Sequence, residues 1–64
     1  MNTPLSERLR KQLGGPRDGA LLRFSLGNAL LAEDDASGAV DAFRAALELK
    51  PDYSAAWKLL AAAQ

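Results

Sequence analysis

Apolar residues recur at helical intervals along most of this chain, and the breaks between them are few and chemically distinct. Leu5, Leu9 and Leu13 stand four apart and draw one narrow apolar stripe. Thr3-Pro4 supplies a start, since threonine caps helices and proline suits the first helical position. Gly14-Gly15-Pro16 supplies the stop, so the spacing predicts a helix over 4–13. Asp18 is the next capping residue, and residues 19–32 read as a second helix. Leu22, Leu26, Ala29 and Leu30 fall on one side of it, and Leu21, Phe24, Asn28 and Leu31 on roughly the opposite side. A helix apolar on two faces cannot be covered by one neighbour.

Glu33-Asp34-Asp35 forms the next break, with Asp35 the cap of a third helix over 36–49. Ala39, Val40, Phe43, Ala46 and Leu47 share its inner face, while Asp41, Arg44 and Glu48 take the outer one. Lys50 suits the C-terminal end of the helix dipole, and Pro51 stops the helix. Asp52 is then expected to cap a fourth helix over 53–64, whose main apolar face is Tyr53, Trp57, Leu60 and Ala61. The run ends at Gln64 with no glycine, proline or polar tail to close it.

Set against itself at an offset of 34, the chain pairs Asp18 with Asp52, Leu26 with Leu60, Ala29 with Ala63 and small Gly27 with small Ala61. Leu26-Gly27-x-x-Leu30, followed by Ala39-x-x-x-Phe43, Ala46 and Pro51, resembles the tetratricopeptide repeat, a 34-residue helix–turn–helix unit. Trp57-x-x-Leu60-Ala61 looks like the opening of the next repeat, with alanine in place of glycine. The resemblance implies an all-α fold in a single small domain: a lead-in helix at 4–13, one complete repeat at 18–51 and the first helix of a second at 52–64. Its departures are Arg23 where the family usually has a large apolar residue, and Leu30 and Ala36 where it has aromatics. Gly27 costs roughly 1 kcal/mol against alanine inside a helix. Its presence is expected where a second helix comes close, with Ala39 and Ala46 as the small partners and Phe43 filling the space between.

Composition agrees with helix. Alanine and leucine make up 25 of the 31 hydrophobic residues, with one valine and no isoleucine. At 64 residues the domain lies near the lower limit for folding alone. Cysteine and histidine are absent, which removes disulfides, Cys/His zinc sites and every Ser–His or Cys–His catalytic pair. Gly14-Gly15-Pro16 lacks the Lys-Ser/Thr of a phosphate loop, and the acidic turn at 33–35 lacks the donor spacing of a calcium loop. Carboxylates sit at turns and on an outer helix face with no nucleophile beside them, so no enzymatic activity, cofactor or metal is expected. No apolar run is long enough to span a membrane and no leader opens the chain, so a cytoplasmic protein without membrane contact is expected. Net charge is zero, against general nucleic-acid binding. The first 17 residues are nevertheless basic through Arg8, Arg10, Lys11 and Arg17, a face read as solvated because no aromatic is interleaved for base stacking.

What remains is interaction. In the family that the sequence resembles, the first helix of each repeat lines a concave groove that holds a peptide or a partner helix. Carried over by position, that lining is Leu21, Phe24, Ser25, Asn28, Leu31 and Ala32, continued by Ala55, Lys58 and Ala62. Some members clamp a C-terminal carboxylate there with Lys, Asn and Arg. Asn28 stands at one such position and Lys58 is a cation on the groove side, but Phe24 replaces a clamp lysine, so the full clamp is missing. Burial of this face against the N-terminal helix or another subunit is the competing expectation. A protein–protein interaction module is expected, with a homo-oligomerisation unit as the alternative. Tyr53, Trp57 and Leu60 are left without a covering helix, so they are the expected self-association face, unless the chain is part of a longer repeat protein.

Overall fold

A computed structural model describes residues 4–64. It contains α1 (Leu5–Arg10), α2 (Ala20–Ala32), α3 (Ala36–Leu49) and α4 (Ser54–Ala63), and no strand among the described residues. The first turn of α1 bonds to the end of α2, and a short connector joins the end of α1 to the start of α2, so these two helices run antiparallel. The molecule is a slab 36 × 28 × 14 Å, little more than one helix thick in its thinnest direction.

The hairpin of α2 and α3 is built as its pattern requires. Phe43 is wholly buried, and a Cβ placed on Gly27 would run into its ring, so glycine is what admits the aromatic at this crossing. Ala39 and Ala46 are fully buried beside it, with Leu26, Leu30 and Leu47 around them; Val40 is half-buried. The turn between the two helices closes without glycine. Asp34 takes a left-handed backbone (φ 62°), Asp35 N–H donates to Leu30 O at 2.8 Å and Asp34 N–H to Leu31 O at 3.1 Å. This is the Schellman arrangement, with an aspartate in the left-handed position that glycine usually takes. Asp35 then caps α3 as expected, its carboxylate accepting from Gly38 N–H at 2.9 Å.

The other helix starts differ from expectation. Asp18 does not cap α2, whose N-cap is Gly19 with no side-chain bond. The Asp18 carboxylate accepts instead from Gly14 N–H and from the Arg23 guanidinium, which draws it into the connector. Asp52 does not cap α4: the backbone turns at Tyr53, and the helix begins at Ser54 without a side-chain cap. Pro4 is the N-cap of α1 rather than its first residue, and Thr3 lies outside the described residues. Beyond Arg10 the chain tightens into turns in which Gln12 and Leu13 N–H bond three residues back, so α1 is shorter than 4–13. Leu5 is exposed, and Leu9 and Leu13 alone of the expected stripe pack on the core.

α4 lies against the hairpin through Ala56, fully buried, and Leu60, 7% exposed, with Leu59 and Ala63 partly covered. Small Ala56 lets the helix approach, and Leu60, expected to be left open, is buried with it. Ala61 and Trp57 face outward, and Tyr53 is half-buried.

Candidate functional site

The outward ridge of α2 is Leu21, Ser25, Asn28 and Ala32, residues that share one side of the helix at intervals of three, four and seven. Leu21 is 69% exposed, Asn28 and Ala32 are exposed, and Ser25 is half-exposed. α1 covers none of Leu21, Asn28 and Ala32. It packs instead toward Leu26 and Leu30, where Leu13 and Arg10 join Arg23, Asp41 and Ala42 around a shallow cleft. Phe24 and Leu31, placed in the same lining by the sequence, are half-buried flanks packed on the core. Phe24 stacks on Tyr53 with ring centroids 4.9 Å apart, and meets Phe43 at 5.8 Å in a tilted pair. That stack carries the surface from α2 across to α4, whose Ala55, Lys58 and Ala62 are exposed. The Lys50 ammonium lies 5.3 Å from the Tyr53 ring centroid, a cation–π contact at the edge of this surface.

The expected self-association face divides. Tyr53 belongs to the Phe24 stack, and Leu60 is buried in the core. Trp57 alone of the three stands clear, 54% exposed, with its indole N–H donating to Pro51 O at 2.9 Å.

Two polar features escaped the sequence pattern, the Ser6–Glu33 bonds and the Asp18–Arg23 pair. Ser6 is 4% exposed on the core side of α1; its hydroxyl donates to Glu33 at 2.7 Å and its backbone N–H to the same carboxylate at 3.2 Å. Glu33, itself exposed, thus reaches back from the acidic turn to the first turn of α1. Nothing in a four-residue leucine stripe marks a serine beside it as the buried residue. Arg23 pairs with Asp18 at 2.9 Å, which explains a charge where an apolar residue was expected. The guanidinium and the Gly14 N–H hold the Asp18 carboxyl below the usual carboxylate range, and the carboxylate raises Arg23 in turn. Arg44 and Glu48 stand one turn apart on the outer side of α3, close to Trp57.

Arg8, Arg10, Lys11 and Arg17 are all exposed. Among the described residues no three His, Cys, Asp or Glu side chains come together to hold a metal ion, and no helix is long and apolar enough to cross a membrane.

A stacked helical hairpin with an open helix face defines an all-α repeat protein. The comparisons say which: a tetratricopeptide repeat family model matches residues 19–63, and the chain belongs to that family. It is 45% identical over 58 residues to the TPR repeat-containing protein PA0015 of Pseudomonas aeruginosa, an alignment covering 91% of this chain and 55% of the relative. The chain thus spans about half the length of the curated relative it matches. No solved structure matches it. Tetratricopeptide repeats mediate protein–protein interaction and are in general scaffolds rather than enzymes.

Proposed function

We propose that the chain binds an extended peptide or a helix of another protein on the surface of α2 and α4, and carries out no chemistry of its own. Leu21, Phe24, Ser25, Asn28 and Leu31 form the docking surface and Lys58 its charged margin. The proposal takes residues 18–51 as one complete repeat and 52–64 as the first helix of a second.

The exposure of Leu21 beside Asn28 carries this reading. A large leucine 69% exposed on a ridge with a polar neighbour offers an apolar anchor next to an amide that can both donate to and accept from a peptide backbone. Phe24 is already stacked on Tyr53, so its contribution is a rigid aromatic wall with little ordering cost on binding. Lys58 favours segments with a carboxylate near that end.

A peptide array probed with wild type, Leu21→Ala and Asn28→Ala tests the surface. Peptides retained by wild type should be lost or weakened with both variants. Equal retention by all three proteins overturns the assignment.

A further inference from the structure

The outward side of α1 and the connector after it carry charge of one sign. Residues 4–17 hold four cations, Arg8, Arg10, Lys11 and Arg17, and one carboxylate, Glu7, for a net charge of +3. All four cations are exposed, and none joins an ion pair among the described residues. Glu7 stands one turn from Arg10 and Lys11 without pairing, and Asp41 of α3 shares the neighbouring cleft with Arg10. The connector's own carboxylate, Asp18, is engaged by Arg23 and by Gly14 N–H. A charged face is stable in water and needs no covering helix, so its exposure is not a gap in the stack. What asks for a reason is that these cations stand together unneutralised in a chain whose net charge is zero.

The cations also surround a recess. Lys11 at the end of α1 and Arg17 beyond the turn line a cleft of about 360 Å³ with Gln12, Gly15 and Pro16, and no carboxylate lines it. Its two sides are tied by the backbone: Gly15 N–H donates to Gln12 O and Asp18 N–H to Gly15 O, both at 3.1 Å. Arg8 stands one turn before Lys11 on the outward side, away from the inward Ser6 and Leu9. Two cations with an amide between them suit a carboxylate, which accepts from all three.

Length decides the class of partner. Residues 18–64 carry a net charge of −3, with acids at 33–35, at Asp41 and at Asp52. A long polyanion held at α1 runs on past these groups and is repelled by them. Residues 4–17 also offer no aromatic on which a base could stack. A bilayer surface is flat and leaves the recess unfilled. A short acidic stretch of polypeptide meets the cations and ends before the acids begin. We propose that Arg8, Lys11 and Arg17 form a second docking surface, for a short acidic segment of a protein partner, with one carboxylate seated between Lys11 and Arg17. It shares no side chain with the α2–α4 docking surface, so either assignment can fail without the other.

Fluorescence anisotropy tests this with a short labelled peptide of alternating glutamate and serine, set against the same peptide with glutamine for glutamate. The acidic peptide should bind the 64-residue chain and the neutral one should not. Raising salt from about 50 mM to about 200 mM should weaken binding severalfold. Lys11→Gln and Arg17→Gln should each weaken it about threefold, and together about tenfold. Arg44→Gln, which removes an exposed cation from α3, should leave it nearly unchanged. Circular dichroism checks that each variant keeps its helices. Failure of the acidic peptide to bind overturns the proposal, as does equal binding of both peptides, indifference to the Lys11 and Arg17 changes, or an Arg44→Gln effect as large as theirs. Loss of binding with Leu21→Ala overturns it by placing the peptide on the α2–α4 surface. Tighter binding, through the same two cations, of a single-stranded DNA oligonucleotide or of phosphatidylcholine vesicles containing phosphatidylserine overturns the choice of a protein partner.

Discussion

The α2–α3 hairpin and α1 both close on the core around Leu26 and Leu30, but by different chemistry. In the hairpin, Phe43 presses on Gly27 with small alanines to either side, and no side-chain polar bond crosses between the two helices among the described residues. α1 and the turn after it bring only half-buried Leu9 and Leu13 to that core; α1 is fastened by Ser6 to Glu33 at one end and, through its connector, by Asp18 at the other. An interlock of shape fails as a whole when one piece is removed. A polar fastening can open locally and leave the rest standing. The hairpin is therefore the cooperative unit, and α1 a segment docked on it.

The sharpest way to break that contrast is to empty the interlock. Phe43→Ala removes the one large side chain that is wholly buried among the described residues and should cost about 3–5 kcal/mol. A domain of this size holds little more than that, so helical circular dichroism should be lost at room temperature. Gly27→Ala is more discriminating, because helix propensity alone predicts a gain of about 1 kcal/mol. With the added Cβ set against the Phe43 ring, overpacking should win and the variant should be less stable by about 1–3 kcal/mol in chemical denaturation. A Gly27→Ala protein more stable than wild type would show that the two helices can separate without loss.

The fastening of α1 should behave differently. Ser6→Ala leaves a carboxylate with one donor fewer, and Glu33→Ala removes both bonds to the α1 N-terminus. Each should cost about 1–2 kcal/mol, felt locally. Amide hydrogen exchange should accelerate over residues 5–13 while the amides of α2 and α3 keep their protection. Equal acceleration in the hairpin would mean that α1 belongs to the same cooperative unit.

These two regions were unequally legible in the sequence for the same reason. Leu26, Gly27, Ala39, Phe43, Ala46 and Pro51 act through size and spacing, and size and spacing are what a sequence displays directly. The hairpin, its boundaries at 36–49 and the Asp35 cap follow from them. The polar fastenings depend on which distant groups meet. Glu33 reaches Ser6 across 27 residues, and Asp18 serves the connector and Arg23 instead of its own helix. α4 misled in a third way. Trp57 stands open, as the lack of a covering helix implied, but Leu60, expected open beside it, is buried against the hairpin with Ala56. Of the proposed docking residues, Leu21 and Asn28 are exposed. Phe24 was legible as apolar but not as the partner of Tyr53, since nothing in the local pattern of either helix pairs those rings.

The smallest effect, and the one that separates the two regions by acidity, concerns Asp18. Its carboxyl is held below the usual range first by the Arg23 guanidinium and then by the Gly14 N–H, so folding favours its ionised form. The stabilisation is fully present above the ordinary aspartate range, near pH 4, and is lost as pH falls through the lower folded-state value. Other carboxylates titrate over the same interval, so the comparison to make is wild type against Asp18→Asn. The asparagine cannot form the ion pair at any pH. Its melting temperature should therefore fall slightly below that of wild type at neutral pH, and the gap should close below about pH 4. Because the pair lies near the surface, added salt should narrow the gap as well. A gap that stays constant from neutral pH down into acid would show that the Asp18 side chain contributes through its hydrogen-bonding shape rather than its charge. The connector would then be held as the hairpin is, by fit.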